Sequence, residues 1–203
     1  MNGNAKILNL SAAAEVFSGY ALRTSVDVLD DGETCMIQLK NVNAEKGVIW
    51  SDVAKIDIPT KKEPRWLRDG DILFAARSAN NFAVALESAP AKTLCVPHFF
   101  VIRVKSSSVI LPHFLAWQIN QSAAQAYFEK SAVGTTVANI RRQTVENLSV
   151  TIPPLETQEL IVRMAKAALA EKMVLEKLIA NREQQMNALA ARLISQQGNK
   201  AHG

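Results

Sequence analysis

Residues 149–179, SVTIPPLETQELIVRMAKAALAEKMVLEKLI, join a strand-like segment, two prolines and a long helical pattern. The prolines at 153 and 154 are incompatible with continuing the strand, and they favour a helix start directly afterwards. From Leu155 to about Gln197 the apolar residues keep helical spacing, and no Pro or Gly interrupts them. The pattern predicts one helix of about 60 Å, at about 1.5 Å per residue.

One face of this predicted helix carries a heptad seam, with steps that alternate between four and three residues. Lys172 and Arg182 interrupt the seam, and its apolar members are Ile161, Ala165, Ala168, Leu175, Ile179, Met186, Leu189 and Leu193. A domain of some 150 residues is only about 30–35 Å across. We therefore expect the helix to outreach its own domain and to cover the seam with the same helix of a second copy. The alternative is a break near ANREQQ (180–185), with the helix folding back as a hairpin.

Before the two prolines, strand-like runs alternate with turns. NLSAAAEVFSGY (9–20) predicts a short helix from Ser11 through Phe17, and LPHFLAWQINQSAAQAYFEK (111–130) predicts a helix with Leu115, Ile119, Ala123 and Ala126 on its packed face. Strands are predicted in TCMIQLKNV (34–42), DILFAA (71–76), FAVALE (82–87), LCVPHFFVIRVKS (94–106) and LSVTI (148–152). The fold class is α+β, with a globular domain of mixed sheet plus helices at 1–152 and a helical arm at 153–203.

Composition excludes several classes of protein. No apolar run approaches the roughly 20 residues that a membrane span needs, and the N-terminus lacks a signal-peptide pattern, so we expect a cytoplasmic chain. Cys35 and Cys95 are expected to be reduced thiols, and the three histidines show no metal-ligand spacing. The net charge of +4 permits a nucleic-acid partner without requiring one.

Four segments occur in an order that resembles a known family: GDILFAAR (70–77), LPHFLAWQINQSAAQAYF (111–128), GTTVANI (134–140) and LSVTIPPLETQELI (148–161). Together they resemble the specificity subunit of type I restriction-modification systems, and the resemblance covers nearly the whole chain. Members of that family usually carry two target-recognition domains and two long helices. This sequence resembles half of such a subunit.

The resemblance implies a non-catalytic protein that reads a bipartite target in double-stranded DNA. It implies a DNA methyltransferase subunit as partner, which would bring S-adenosylmethionine, and through it a restriction translocase. It also implies an antiparallel coiled coil, here intermolecular, formed with a second copy or a second half-subunit. Residues 1–152 would then be the target-recognition domain, and residues 153–203 the arm for dimerisation and methyltransferase docking.

Three polar segments carry side chains that we expect to bind DNA. RSANN offers Arg77, Ser78, Asn80 and Asn81 for reading bases, since Arg pairs with guanine and Asn with adenine through two hydrogen bonds each. GTTVANIRR offers phosphate contacts, as does KKEPRWLR. The candidate residues in GTTVANIRR are Thr135, Thr136, Asn139, Arg141 and Arg142. Those in KKEPRWLR are Lys61, Lys62 and Arg65. The alternatives are a polar hairpin turn for RSANN and a solvated loop for KKEPRWLR.

Two other functions compete with DNA recognition. IPPL (152–155) superficially resembles the Asn/Asp-Pro-Pro-Tyr motif of amino-methyltransferases, but Ile152 replaces its polar residue and no glycine-rich cofactor loop occurs. We therefore expect no catalysis and no cofactor on this chain itself. A non-DNA scaffold displayed on a coiled coil is the remaining alternative, and the modest net charge favours it.

Overall fold

The computed structural model describes residues 5–22, 32–58, 63–131 and 138–200 of the 203-residue chain. It divides into two compact units, Met1–Val162 and Arg163–Gly203. The helices are α1 (Leu10–Ala13), α2 (Pro112–Ile119), α3 (Ser122–Ser131), α4 (Arg142–Glu146) and α5 (Leu155–Lys200), with 3₁₀ turns at Leu39–Asn41 and Trp50–Asp52. The strands are β1 (Lys6–Asn9), β2 (Ala14–Ser18), β3 (Thr34–Ile37), β4 (Val42–Asn43), β5 (Gly47–Val48), β6 (Ala54–Ile56), β7 (Ile72–Ala75), β8 (Arg77–Ser78), β9 (Ala83–Ala85), β10 (Thr93–Cys95), β11 (Phe99–Val104), β12 (Ala138–Asn139) and β13 (Ser149–Ile152).

A four-stranded antiparallel sheet, in the order β2-β11-β7-β9, forms the centre of the first unit. All four residues of β7 are buried, because the sheet is covered on both faces. Ile72 and Phe74 pack into a cluster with α2 and α3, where the Phe74 and Phe128 ring centroids lie 4.8 Å apart. Leu73 and Ala75 face the opposite cluster. The strands predicted at 71–76 and 82–87 are confirmed as β7 and β9, which pair antiparallel.

A second sheet, in the order β10-β3-β6, is mixed, with β10 parallel to β3 and β6 antiparallel to it. The segment 94–106, predicted as one strand, is two strands in different sheets, because the chain turns at Pro97 and His98. Cys95 is buried and Cys35 partly buried, and both are free thiols, as predicted. Burial raises the pKa of Cys95 to about 12.

The helix predicted at Ser11–Phe17 is wrong. Helix α1 ends at Ala13, and residues 14–18 form β2, which pairs with β11. Ala14 and Val16 are buried while Glu15 is exposed, a two-residue alternation typical of a strand. Gly19 lies close to the end of β10, and a Cβ there would stand 2.2 Å from the carbonyl oxygen of Val96.

The helix predicted across residues 111–130 is interrupted. Pro112 occupies the first turn of α2, but α2 ends at Ile119 and α3 begins at Ser122. The break turns Ala123 and Ala126 to the surface and buries Ala124 and Phe128 instead. It also directs Asn120 to the edge strand β9, where its amide accepts from the N–H of Ala83 and donates to its carbonyl, both at 2.8 Å.

Strands β1 and β13 form an antiparallel ribbon directly before the long helix. Helix α5 continues without interruption from Leu155 to Lys200, so the hairpin alternative at 180–185 is wrong. Mixed sheets followed by one long C-terminal helix confirm the predicted α+β class. None of the helices in the described ranges is long and apolar enough to cross a membrane.

Candidate nucleic-acid interface

Two of the three polar segments singled out in the sequence are joined in a β-ribbon. Strand β8, from RSANN, pairs antiparallel with β12, from GTTVANIRR. Asn139 lies opposite Arg77 and Ala138 opposite Ser78. The ribbon therefore places side chains from both segments next to one another, although some 60 residues separate them in the sequence.

Alternation along the ribbon separates a buried pair from an exposed pair. Ala76 and Ile140, which are joined by a 3.0 Å hydrogen bond from the Ile140 N–H to the Ala76 carbonyl, are each only 1% exposed. Arg77 and Asn139, one position further along, are both exposed. Successive side chains of a strand point to opposite faces, so the arginine and the asparagine share the solvent-facing side.

The turn at His98 supports this ribbon from beneath. Its carbonyl accepts the N–H of Ala76 at 3.0 Å and that of Arg77 at 3.3 Å. Asn81, predicted to contact DNA, donates instead to the carbonyl of Ala75 at 2.7 Å and is partly buried. Asn80 is exposed beside it. In this connection the side chains of Arg77 and Asn80 lie at the surface, whereas the amide of Asn81 holds the turn.

The segment after β12 carries two more exposed arginines. Arg141 is the residue before α4, and Arg142 begins that helix. The Arg142 Nε lies 2.8 Å from Glu146 Oε1, one helical turn away. Such an exposed pair contributes at most about 1 kcal/mol, so Arg142 can exchange Glu146 for another anion at little cost. The predicted contacts Thr135 and Thr136 lie outside the described residues.

Arg65 belongs to a different cluster. Its guanidinium binds both carboxylate oxygens of Glu15, with 2.7 Å from Nη1 to Oε1, and lies over the Phe17 ring, 3.6 Å from its centroid. The hydrogen bond from Arg65 lowers the pKa of Glu15, and the same bond raises the pKa of Arg65. The neighbouring predicted contacts Lys61 and Lys62 lie outside the described residues.

The seam predicted on the long helix is exposed within the second unit. Leu175, Ile179, Met186 and Leu189 are 50–58% exposed. Ala168 is exposed and Ala165 is partly buried. Ile161 belongs to the first unit and is partly buried against its core. The Leu193 side chain lies outside the described residues. An exposed apolar stripe of this kind, repeated along a helix, favours contact with another helix.

Comparison with known protein families identifies the family of this chain. A family model described as the type I restriction modification DNA specificity domain matches residues 6–182. The chain belongs to this family.

The specificity domain has similar sequences and structures among characterised proteins. It is 25% identical over 174 residues to the type I restriction enzyme StySPI specificity subunit of Salmonella potsdam, a match that covers 82% of this chain and 37% of that protein. It resembles the crystal structure of the HsdS subunit from Thermoanaerobacter tengcongensis with a TM-score of 0.62 and 17% identity, over 91% of this chain and 47% of that one.

A second structure, of the S subunit from the type I restriction-modification system of M. genitalium, matches with a TM-score of 0.53 and 14% identity, over 79% of this chain and 38% of that one. At these identities the two structures establish a shared fold. The chain spans less than half the length of the relatives that it matches. The family of DNA specificity domains predicted from the ordered motifs is confirmed, and it is a non-catalytic family.

Two motif residues that carry the family resemblance have structural roles in this specificity domain. Asp71, from GDIL, is fully buried and binds Arg103 through both carboxylate oxygens, each at 2.6 Å. The backbone N–H of Arg68 also donates to Asp71, at 3.0 Å. The sequence pattern placed Asp71 at the start of a predicted strand and indicated no partner for it. The signal that sequence reasoning missed is the single arginine inside the apolar strand FFVIRV.

Gln158, from IPPLETQ, is the second such residue. It is fully buried, accepts from the N–H of Leu111 at 2.8 Å, and donates to the carbonyls of Val109 at 2.9 Å and Pro153 at 2.8 Å. It thereby ties the first turn of α5 to the segment that begins α2. Within the described part of the chain, no cluster of three or more His, Cys, Asp or Glu side chains is placed to hold a metal ion.

Proposed function

We propose that this chain is a DNA-reading subunit of a type I restriction-modification complex or a related DNA-methylation defence system, without catalysis of its own. The observation that carries the proposal is the match of residues 6–182 to the DNA specificity domain. The exposed Arg and Asn side chains on the β8–β12 ribbon support it, because these are the residue types that read base edges. The proposed division is recognition by residues 1–152 and assembly by residues 153–203.

The arm would pair with the same arm of a second copy, running antiparallel. If that pair is centred on Lys177, each seam alanine lies opposite a large side chain, with Ala165 facing Leu189 and Ala168 facing Met186. A small residue opposite a large one is the arrangement that fills a helix–helix interface without voids. The same register sets Lys172 against Arg182, and both side chains are long enough to bend their charges into water.

Two reading domains on a two-fold axis impose symmetry on the DNA. The target would consist of two half-sites in inverted orientation, separated by a gap that the paired arms set. The arm surface left free by pairing would dock methyltransferase subunits, which bind S-adenosylmethionine, and through them a restriction translocase. Such a complex would act on DNA in the cytoplasm.

A salt titration tests the proposal against the scaffold alternative. The purified chain is titrated into labelled duplex DNA of mixed sequence, and fluorescence anisotropy is measured over a series of salt concentrations. We expect binding in low salt and a linear fall of log K with log salt, with a slope of about −0.9 for each phosphate neutralised. Absence of duplex binding in low salt would favour the scaffold. Co-purification with the products of neighbouring genes then tests the methyltransferase partner.

A further inference from the structure

We infer that the facing pair Arg77–Asn139 is the base-reading element of this domain, and that the β8–β12 ribbon presents it in the major groove of duplex DNA. The inference rests on the proposed function and makes it specific. Sequence reasoning assigned Arg77 to base reading and Asn139 to phosphate contacts. Their register in the ribbon combines them into one reading unit.

Hydrogen bonding along the ribbon sets the distance between the two side chains. The Ile140 N–H donates to the Ala76 carbonyl, and in an antiparallel pair hydrogen-bonded and non-hydrogen-bonded positions alternate. Arg77 and Asn139 therefore form a non-hydrogen-bonded pair, whose side chains approach most closely, with Cβ atoms about 4.5–5.5 Å apart. Successive base pairs are separated by about 3.4 Å. Side chains this close reach the same base pair or two neighbouring ones.

The chemistry of the pair specifies what it reads. A guanidinium donates two hydrogen bonds to O6 and N7 of guanine, and a carboxamide both donates to N7 and accepts from N6 of adenine. A two-stranded ribbon is narrow enough to enter the major groove, which is about 12 Å wide. The pair therefore fits one guanine and one adenine, at the same or adjacent positions of each half-site.

Burial at the base of the ribbon holds the pair in place. Ala76 and Ile140 are locked in the core, and the His98 carbonyl binds the backbone at Ala76 and Arg77. The reading pair thus stands on a fixed support, which keeps the loss of backbone freedom on DNA binding small. Arg65, by contrast, is held by Glu15 and Phe17, and Arg141 follows the ribbon, where a phosphate contact suits its position.

Selection from a library of random-sequence DNA duplexes tests the inference with the full-length chain. Wild-type protein is compared with Arg77→Ala, Arg77→Lys, Asn139→Ala and Arg141→Ala, and with Lys55→Ala, which removes an exposed charge from strand β6. Circular dichroism and thermal unfolding confirm that each variant is folded. The readout is the base preference at each position of the selected motif, together with the salt dependence of binding.

We expect Arg77→Ala to lose preference at one guanine and Asn139→Ala at one adenine, each by about 5- to 150-fold, which corresponds to about 1–3 kcal/mol. Arg77→Lys separates the possible roles: a base reader shows a weaker guanine preference with lysine, which lacks the planar fork of the guanidinium, whereas a phosphate contact leaves every base preference unchanged. Arg141→Ala should bind the same motif more weakly, with a salt slope smaller by about one. Lys55→Ala should match the wild type.

Two outcomes contradict the inference in different ways. If the wild type selects a motif and both Arg77→Ala and Asn139→Ala select it with unchanged preferences, the reading pair is wrong while DNA recognition stands. If the wild type enriches no motif, the proposed function and the inference fail together.

Discussion

The two units of this chain differ in whether the groups at their surface already have partners within the chain. In the Met1–Val162 unit, amide side chains form hydrogen bonds with the backbone of strands at sheet edges. Asn120 binds the N–H and the carbonyl of Ala83. Gln118 binds the N–H and the carbonyl of Thr151, both at 3.0 Å. In the Arg163–Gly203 unit, a stripe of large apolar side chains remains about half exposed. Backbone groups that are already bonded at a sheet edge do not pair with a further strand. An exposed apolar stripe on a helix, by contrast, favours packing against a second helix. The difference supports the proposed division, with recognition in the first unit and assembly in the second.

The largest expected effect lies in the arm. Replacing Leu175 and Ile179 together by glutamate puts charge into the centre of the proposed seam, and we expect self-association to weaken by more than about 100-fold. Light scattering should then report about 22 kDa instead of about 44 kDa, twice the 22.2 kDa of one chain. Ala170→Glu is the matched control, because residue 170 is about 200° around the helix from Ala168. A wild-type chain that is monomeric at all concentrations would contradict the pairing.

The next effect concerns the buried pair of the first unit. Asp71→Ala leaves Arg103, whose side chain is 16% exposed, without its counter-charge, and loss of one partner from a buried pair costs about 3–5 kcal/mol. Urea unfolding followed by near-ultraviolet circular dichroism measures this loss. Glu15→Ala is the control, since it removes the same kind of carboxylate–arginine pair at the surface, where we expect at most about 1 kcal/mol. Equal losses for the two variants would show that burial does not distinguish them.

Some parts of the fold were predictable from the sequence and others were not. The long helix and the β7–β9 hairpin depend on local periodicity and turn chemistry, so their patterns were sufficient. Partners distant in sequence, which no local pattern records, determine strand β2, the separation of β10 from β11 and the end of α2 at Ile119. Propensity alone favoured a helix in SAAAEVF, and pairing with β11 overrode it.

The candidate site, like the fold, was predictable from the sequence only in part. Composition identified Arg77 and Asn139 as DNA-binding residue types, but not their position opposite one another, because β8 and β12 pair across some 60 residues. It equally could not show that Asn81 holds the turn or that Glu15 and Phe17 hold Arg65. Residue type was predictable for these positions; register and partners were not.

A smaller effect is expected at the junction between strand and helix. Gln158→Ala removes the partner of the Leu111 N–H and of the Val109 carbonyl inside the first unit, and a buried unsatisfied group costs about 1–3 kcal/mol. Thermal unfolding should show a lower midpoint. Gln184→Ala, at an exposed position of the arm, should leave the unfolding of the first unit unchanged. If both variants unfold at the wild-type temperature, Gln158 does not stabilise the junction.

The smallest effect is a pH dependence. The hydrogen bond from Arg65 lowers the pKa of Glu15 in the folded state below its ordinary value of 4.5. The stabilisation is therefore complete above about pH 4.5 and is lost as the pH falls through the lower folded value. Thermal midpoints measured from about pH 6 down to about pH 3 should fall less steeply for Glu15→Gln than for the wild type. Parallel curves would mean that the pair does not influence folding.

The most direct test of the claim that two paired copies read DNA is the methylation pattern of host DNA. It is sequenced with this chain present and with its gene deleted. If two copies pair and read DNA, we expect a motif that disappears with the chain and that consists of two identical half-sites in inverted orientation across a fixed gap. Each half-site should contain the guanine and the adenine assigned to Arg77 and Asn139. An unchanged methylation pattern, or a lost motif without two-fold symmetry, would contradict the claim.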